Sequence, residues 1–161
     1  MFMRKLKVCI AFSAGGHFVE AMNACESLLQ RKDVDVIYVT YKTENIKKGL
    51  VDAKTAYVQH PYHCFAIKRF ILFLINIWDS LQVFLKHKPD VVISTGADVT
   101  VGIMLISKVF RRKLIYIESG ASVNAASLTG RLAYPMADLF LVQWPDQLKR
   151  YPKAVLGGSL L

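Results

Sequence analysis

Apolar residues along this chain gather in short runs, each broken by glycine or a polar cluster. Residues 7–13 (KVCIAFS), 34–40 (VDVIYVT), 90–95 (DVVIST), 113–118 (KLIYIE) and 139–142 (LFLV) are such runs, with a shorter one at 55–59. They are apolar at successive positions rather than alternate ones, which predicts strands covered on both faces. Helical spacing separates them, at residues 17–30, 65–87, 99–110 and 128–137. Strands alternating with helices predict an α/β fold, a Rossmann-like parallel sheet with helices on both faces. Residues 1–161 read as one domain, with no internal repeat and no low-complexity linker. Residues 45–54 are the most polar stretch and are expected at the surface.

In an open parallel sheet, ligands sit beyond the carboxyl ends of the strands. Three loops rich in glycine, serine and other small residues occupy such places. The first is Ser13-Ala14-Gly15-Gly16-His17, with Glu20 one helical turn later. Its glycines allow a tight turn, and the helix start behind them favours an anion, a diphosphate above all. Ser13, Gly15, Gly16 and Glu20 are therefore candidate diphosphate or acceptor contacts. His17 faces the same crevice and is a candidate base, its unperturbed pKa lying near ~6.5. The plainer reading is a tight strand-to-helix turn with a packed histidine. The dinucleotide fingerprint GxGxxG is absent. The second loop, Ser94 to Asp98, offers Thr95 and Gly96 to the same ligand, while Asp98 is expected to cap the following helix. The third begins at Glu118 and Ser119. Glu118 is either a second candidate catalytic carboxylate or a structural acceptor that orders the loop; Ser119 joins the acceptor contacts.

Residues 65–87 form a helix with an unusually wide apolar arc. Phe70, Phe73, Leu74, Ile77, Leu81, Phe84 and Leu85 make one broad face, and Asn76, Asp79, Ser80 and Gln82 interrupt the other. Lys68-Arg69 and Lys86 with Lys88 flank it. Two readings are open, a buried core helix or a helix lying among lipid head groups with a basic rim. In the second, Lys68, Arg69, Phe70, Phe73, Leu74, Ile77 and Trp78 meet the membrane. No run reaches the ~20 apolar residues of a spanning segment. After the last strand stand Gln143 and Trp144, candidate contacts for a partner chain, with the core as the alternative for Trp144, and Pro145, which stops the strand and can start a helix.

Charge and cysteine content narrow the partners. The chain has 21 basic and 12 acidic residues, a net charge of +9, which favours anionic partners. There is no RNP-type aromatic motif or helix-turn-helix, so nucleic acid is the weakest reading. Three cysteines, Cys9, Cys25 and Cys64, show no CxxC spacing. That excludes a zinc finger and a disulfide framework and fits a reducing compartment. Cys9 is expected in the core, and no metal or other cofactor is expected.

The motifs together resemble the asparagine-linked glycosylation protein 14 family and its bacterial capsule relatives, the PssD- and CpsF-type proteins. The resemblance rests on SAGGHFVEAM, ISTGADV, IYIES, SLTGRLAYPMAD and LVQWP, in family order over nearly the whole chain. It implies the N-terminal half of a GT-B glycosyltransferase: a subunit at the cytosolic face of the plasma membrane, peripherally bound, that recruits a small catalytic partner resembling the C-terminal, UDP-sugar-binding half. The acceptor so implied is an undecaprenyl-diphosphate-linked sugar in capsule or exopolysaccharide assembly. Eukaryotic members usually carry an N-terminal membrane anchor, which this sequence lacks, so it looks like a bacterial version. The family's arginine after the Glu-Ser pair is replaced here, where Gly120-Ala121-Ser122-Val123 follow and Ser122 fills that place. The competing class is a stand-alone nucleotide-binding enzyme on a Rossmann-like sheet.

Overall fold

The computed structural model describes residues 4–50, 53–62 and 65–160; Cys64 lies outside them. Its strands are β1 (Leu6–Ala11), β2 (Val34–Thr40), β3 (Thr55–Tyr57), β4 (Val91–Ser94), β5 (Lys113–Ile117), β6 (Leu139–Val142) and β7 (Val155–Leu156). The helices are α1 (Gly16–Leu29), α2 (Glu44–Gly49), α3 (Ala66–His87), α4 (Val101–Val109) and α5 (Leu128–Ala133), with 3-10 turns at Asp98–Thr100 and Pro145–Lys149. All strands pair in parallel, in the order β3-β2-β1-β4-β5-β6-β7. The order reverses between β1 and β4, which opens a crevice beyond their carboxyl ends.

The two faces of the sheet explain the unbroken apolar runs. Cys9, Ala11, Val92, Leu114, Tyr116 and Phe140 join one core cluster with α3 and α4. Val8, Ile10, Phe12, Ile93 and Ile117 join the other, with residues of α1 and α2. Successive side chains point to opposite faces, so a doubly covered strand must be apolar throughout. Cys9 is fully buried, and desolvation pushes its thiol up to about 12.

All six expected strands are present. The seventh, β7, has two residues, both exposed, and pairs with Leu141 and Val142 as an edge; it is too short to carry a period. Within the stretch expected at the surface the chain forms α2, capped by Thr43, whose hydroxyl accepts from the Ile46 N–H at 3.2 Å. Ile46 and Leu50 are buried there, one turn apart. α5 stops at Ala133: the Tyr134 N–H still bonds the Gly130 carbonyl at 2.9 Å, and Pro135 has no N–H to continue the ladder.

α3 divides its faces differently from the sequence grouping, which set Phe84 with Leu74 and apart from Asn76 and Ser80. Asn76, Ser80 and Phe84 are its buried residues, while Phe70, Leu74 and Leu85 point outward and Phe73, Ile77 and Leu81 are partly covered. The cause is Gly102 on α4, which lets the two helices approach closely. The Asn76 amide donates to the Gln59 and Val99 carbonyls at 2.6 and 3.0 Å and accepts from the Gly102 N–H at 3.2 Å. A polar side chain with all its bonds made is thus at home in the interface. By length and composition this 22-residue helix suffices to cross a membrane. Its polar contacts to α4 hold it along the sheet, with an apolar face outward: Phe70 is 62% and Trp78 61% exposed.

Candidate functional site

β1 delivers the first loop to the switch point. The Phe12 N–H still bonds the Val39 carbonyl at 3.1 Å, and then the chain leaves the ladder. Ser13 is buried, and Gly15 turns at a positive φ of 77°, which glycine adopts without strain. α1 starts at Gly16. A side chain added at Gly15 or Gly16 would meet nothing within 4 Å, so the space above both is open. The Gly15 carbonyl accepts from the Phe18 and Val19 N–H groups at 3.1 and 3.3 Å, which leaves those of Gly16 and His17 as the donors of the helix start.

His17 is held from two sides by β4's loop. Its Nδ1 lies 2.7 Å from the Thr95 carbonyl, and the Thr95 hydroxyl donates to the His17 carbonyl at 2.9 Å. A carbonyl only accepts, so Nδ1 carries the proton and Nε2 is the basic nitrogen of the neutral ring. Thr95 is fully buried. Gly96 follows at φ 100°, with no room for a side chain: a Cβ would stand 2.8 Å from the Tyr116 hydroxyl and 3.5 Å from His17 Cε1.

Beneath His17 lies Glu20, 1% exposed. One carboxylate oxygen sits 3.5 Å from His17 Nδ1. The other accepts from the Gly120 N–H (2.7 Å), the Ser119 hydroxyl (3.2 Å) and the Gln143 amide (3.1 Å). Glu20 therefore ties α1 to the β5 and β6 loops. Burial pushes the His17 pKa down, but the adjacent Glu20 carboxylate and the Thr95 carbonyl outweigh it, leaving it above 6.5. For Glu20, burial works upward and His17, the Gly120 N–H and Gln143 prevail, holding it below the ordinary carboxylate value. The pair favours an imidazolium beside a carboxylate, the arrangement that steadies a histidine taking up a proton.

Behind this set Glu118 is fully buried. It accepts from the Tyr151 hydroxyl at 2.6 Å and the Ser119 N–H at 3.1 Å. Gly130 packs so tightly over it that a Cβ would overlap the Glu118 carboxylate. Among the described residues, no group of three His, Cys, Asp or Glu side chains is placed to hold a metal ion.

A family model described as "Oligosaccharide biosynthesis protein Alg14 like" matches residues 8–160. The chain belongs to this family. Among curated relatives, "UDP-N-acetylglucosamine transferase subunit ALG14" of Mus musculus is 26% identical over 185 residues, covering 97% of this chain and 83% of the mouse protein. The subunit of the same name from Yarrowia lipolytica is 26% identical, covering 96% and 81%. Among solved structures, Acinetobacter baumannii MurG matches at TM-score 0.71 and 15% identity, over 88% of this chain and 42% of that one. S. aureus MnaA with UDP matches at TM-score 0.73 and 16% identity, over 96% and 45%. The sheet of this Alg14-like chain is thus a GT-B-like Rossmann fold, and it spans under half the length of those solved chains.

The Alg14-like fold brings His17, Glu20, Thr95, Gly96 and Ser119 together, Glu20 and Thr95 buried beneath the surface, with open space above Gly15 and Gly16. Two residues, Gln143 and Asp98, stand elsewhere than their sequence reading put them, and Glu118 takes one side of two open readings. Glu118 is the structural acceptor of its two readings, closed off from the crevice. Gln143 faces inward rather than toward a partner: its amide also bonds the Glu118 carbonyl, and its oxygen accepts from the Leu160 N–H. Asp98 caps nothing; Ala97 holds that position, and the Asp98 carboxylate sits 2.9 Å from His60 Nε2 and 3.8 Å from Arg69. Trp144 donates from Nε1 to the Gly120 carbonyl at 2.7 Å and stays half-buried. Lys68, Phe70, Leu74 and Trp78 lie exposed on α3, with Arg69 half-buried; Phe73 and Ile77 pack toward the core. Sequence reasoning passed over Gln147, whose oxygen accepts from the Gln143 and Trp144 N–H groups, and Tyr151. Only the Pro145 helix start hinted at the first, and nothing pointed to the second.

Proposed function

We propose that this Alg14-like chain is the acceptor-side, membrane-associated subunit of a heteromeric inverting glycosyltransferase. A second, smaller protein resembling the other GT-B half supplies the UDP-sugar. The acceptor is a polyprenyl-diphosphate-linked sugar; the sequence resemblance favours an undecaprenyl carrier in capsule or exopolysaccharide assembly, at the cytoplasmic face of the plasma membrane. The observation that carries this reading is His17, clamped by Thr95 and backed by Glu20, beside an open glycine loop at the switch point. The names of the relatives make UDP-N-acetylglucosamine the first donor to test.

The chemistry follows from the geometry. The acceptor diphosphate lies over Gly15 and Gly16, facing the free N–H groups of α1, with Gly96 and Ser119 alongside. His17 Nε2 takes the proton of the acceptor hydroxyl while that oxygen bonds the anomeric carbon of the donor. The bond from that carbon to the UDP oxygen breaks on the opposite face, and its electron pair leaves with UDP. Glu20 steadies the imidazolium through Nδ1. Trp144, at the end of β6, is the side chain offered to the partner. On this reading, transfer from UDP-N-acetylglucosamine requires both proteins and neither suffices. Turnover by this chain alone would favour the stand-alone nucleotide-binding enzyme.

The outward face of α3, with Lys68 and Arg69 at one end and Lys86 and Lys88 at the other, is the membrane contact. A Leu74→Ser, Trp78→Ser double variant changes only exposed positions. It should float with anionic liposomes about tenfold less well than wild type while keeping its thermal stability. Unchanged flotation would remove α3 as the anchor.

A further inference from the structure

At the carboxyl end of the sheet a groove of about 630 Å³ runs between α3, the start of α4 and α5, a volume within the ligand-site range. Phe70 and Phe73 line one wall, Val101 the floor, and Leu128 and Leu132 the other wall. Leu128 is 77% exposed, and Leu132 and Phe70 also stand in water. Arg69 and Asp98, 3.8 Å apart, are its charged lining residues. Asp98 comes directly after Gly96 and Ala97, so the inner end of the groove abuts the loop that clamps His17. Phe70 belongs as well to the exposed apolar face of α3, where Ile67 and Leu74 also stand in water.

We propose that this groove holds the isoprene units of the acceptor nearest its diphosphate, an inference that rests on the acceptor reading above. An anionic head placed at the glycine loops must trail an apolar chain between that site and the bilayer. Each methylene left in water on the way costs about 0.8 kcal/mol. The groove offers that segment an apolar bed along the path required. It lies beside the membrane face yet apart from it, because α5 supplies one wall.

Photolabelling tests this without any sugar transfer. The full chain is incubated, free of bilayer, with a diazirine-tagged geranylgeranyl diphosphate, and the labelled peptides are mapped. The groove predicts label on residues 66–73 and 128–132. It predicts that untagged geranylgeranyl diphosphate competes at least about tenfold better than dimethylallyl diphosphate or inorganic diphosphate, since apolar pocket contacts discriminate by that much or more. Leu132→Trp fills the groove from an exposed position and should weaken labelling about tenfold, with Leu128→Ser doing so from the opposite end of α5. Label confined to the outward positions of α3, such as Leu74 and Trp78, or equal competition by all three diphosphates, overturns the groove. Loss of transfer by the reconstituted pair bears on the proposed function instead, because labelling requires no donor and no partner.

Discussion

His17→Ala will lower the transfer rate of the reconstituted pair by about 10²–10⁴-fold, the usual contribution of a positioned base. The expectation comes from the ring's constraint as much as its identity. With Nδ1–H given to the Thr95 carbonyl at 2.7 Å, the only nitrogen left to accept a proton is Nε2. The pH profile carries the sharper test. Only the neutral ring is a base, and the folded protein holds the His17 pKa above 6.5. kcat/KM should therefore fall as pH drops through a midpoint above 6.5. Protonated His17 also stabilises the fold: that contribution is complete below the unfolded value near ~6.5 and is lost as pH rises through the higher folded value. Glu20→Gln removes the neighbouring charge and leaves burial to act, so the midpoint should move down. A Glu20 that merely ordered the loop would lower the rate in that variant and leave the midpoint in place.

Gly102→Ala is expected to give the largest loss of stability of any single methyl addition along α4. The new Cβ would overlap the Asn76 amide oxygen and stand 2.6 Å from the Ser80 hydroxyl. The first of these does not yield freely, because the Asn76 amide is committed to the Gln59 and Val99 carbonyls and the Gly102 N–H. Overpacking costs about 1–3 kcal/mol, and a displaced Asn76 leaves buried groups unpaired for about 1–3 kcal/mol more. For a chain of this length that corresponds to a fall of roughly 5–15 °C in Tm. Leu74→Ser, on the outward face of the same helix, should stay within about 0.5 kcal/mol of wild type. Thermal unfolding of the three proteins side by side decides it. An unaltered Tm for Gly102→Ala would mean that α3 and α4 do not meet at Asn76.

The contrast between those two substitutions shows what sequence patterns carry and what they omit. The strands were legible because a doubly covered strand writes its burial at every position, as in Val91-Val92-Ile93. The three loops were legible because a parallel sheet presents its binding crevice at one end. The inward side of α3 was not legible. A count of apolar positions groups Leu74 with Phe84 and sets Asn76 on the other face, whereas Gly102, some 26 residues on, admits the backbone closely enough to satisfy a buried amide beside Phe84. α2 had a faint signal, Ile46 and Leu50 one turn apart among charges, too short to weigh against its polar neighbours. In the site, Ser13, Gly15, Gly16, His17, Thr95 and Gly96 followed from their place after strands. The inward turn of Glu118 and Gln143 did not, because a side chain's direction past the end of a strand depends on partners distant in sequence, here Tyr151, Gly130 and Leu160.

The central claim is that this chain is one half of a split transferase. Affinity capture of the full chain from its native cells in mild detergent, with mass spectrometry of what accompanies it, tests that most directly. The account predicts one small protein in stoichiometric amount, which binds a UDP-sugar and resembles the donor-binding half of a GT-B enzyme. A folded, membrane-bound chain recovered with no such companion would contradict it.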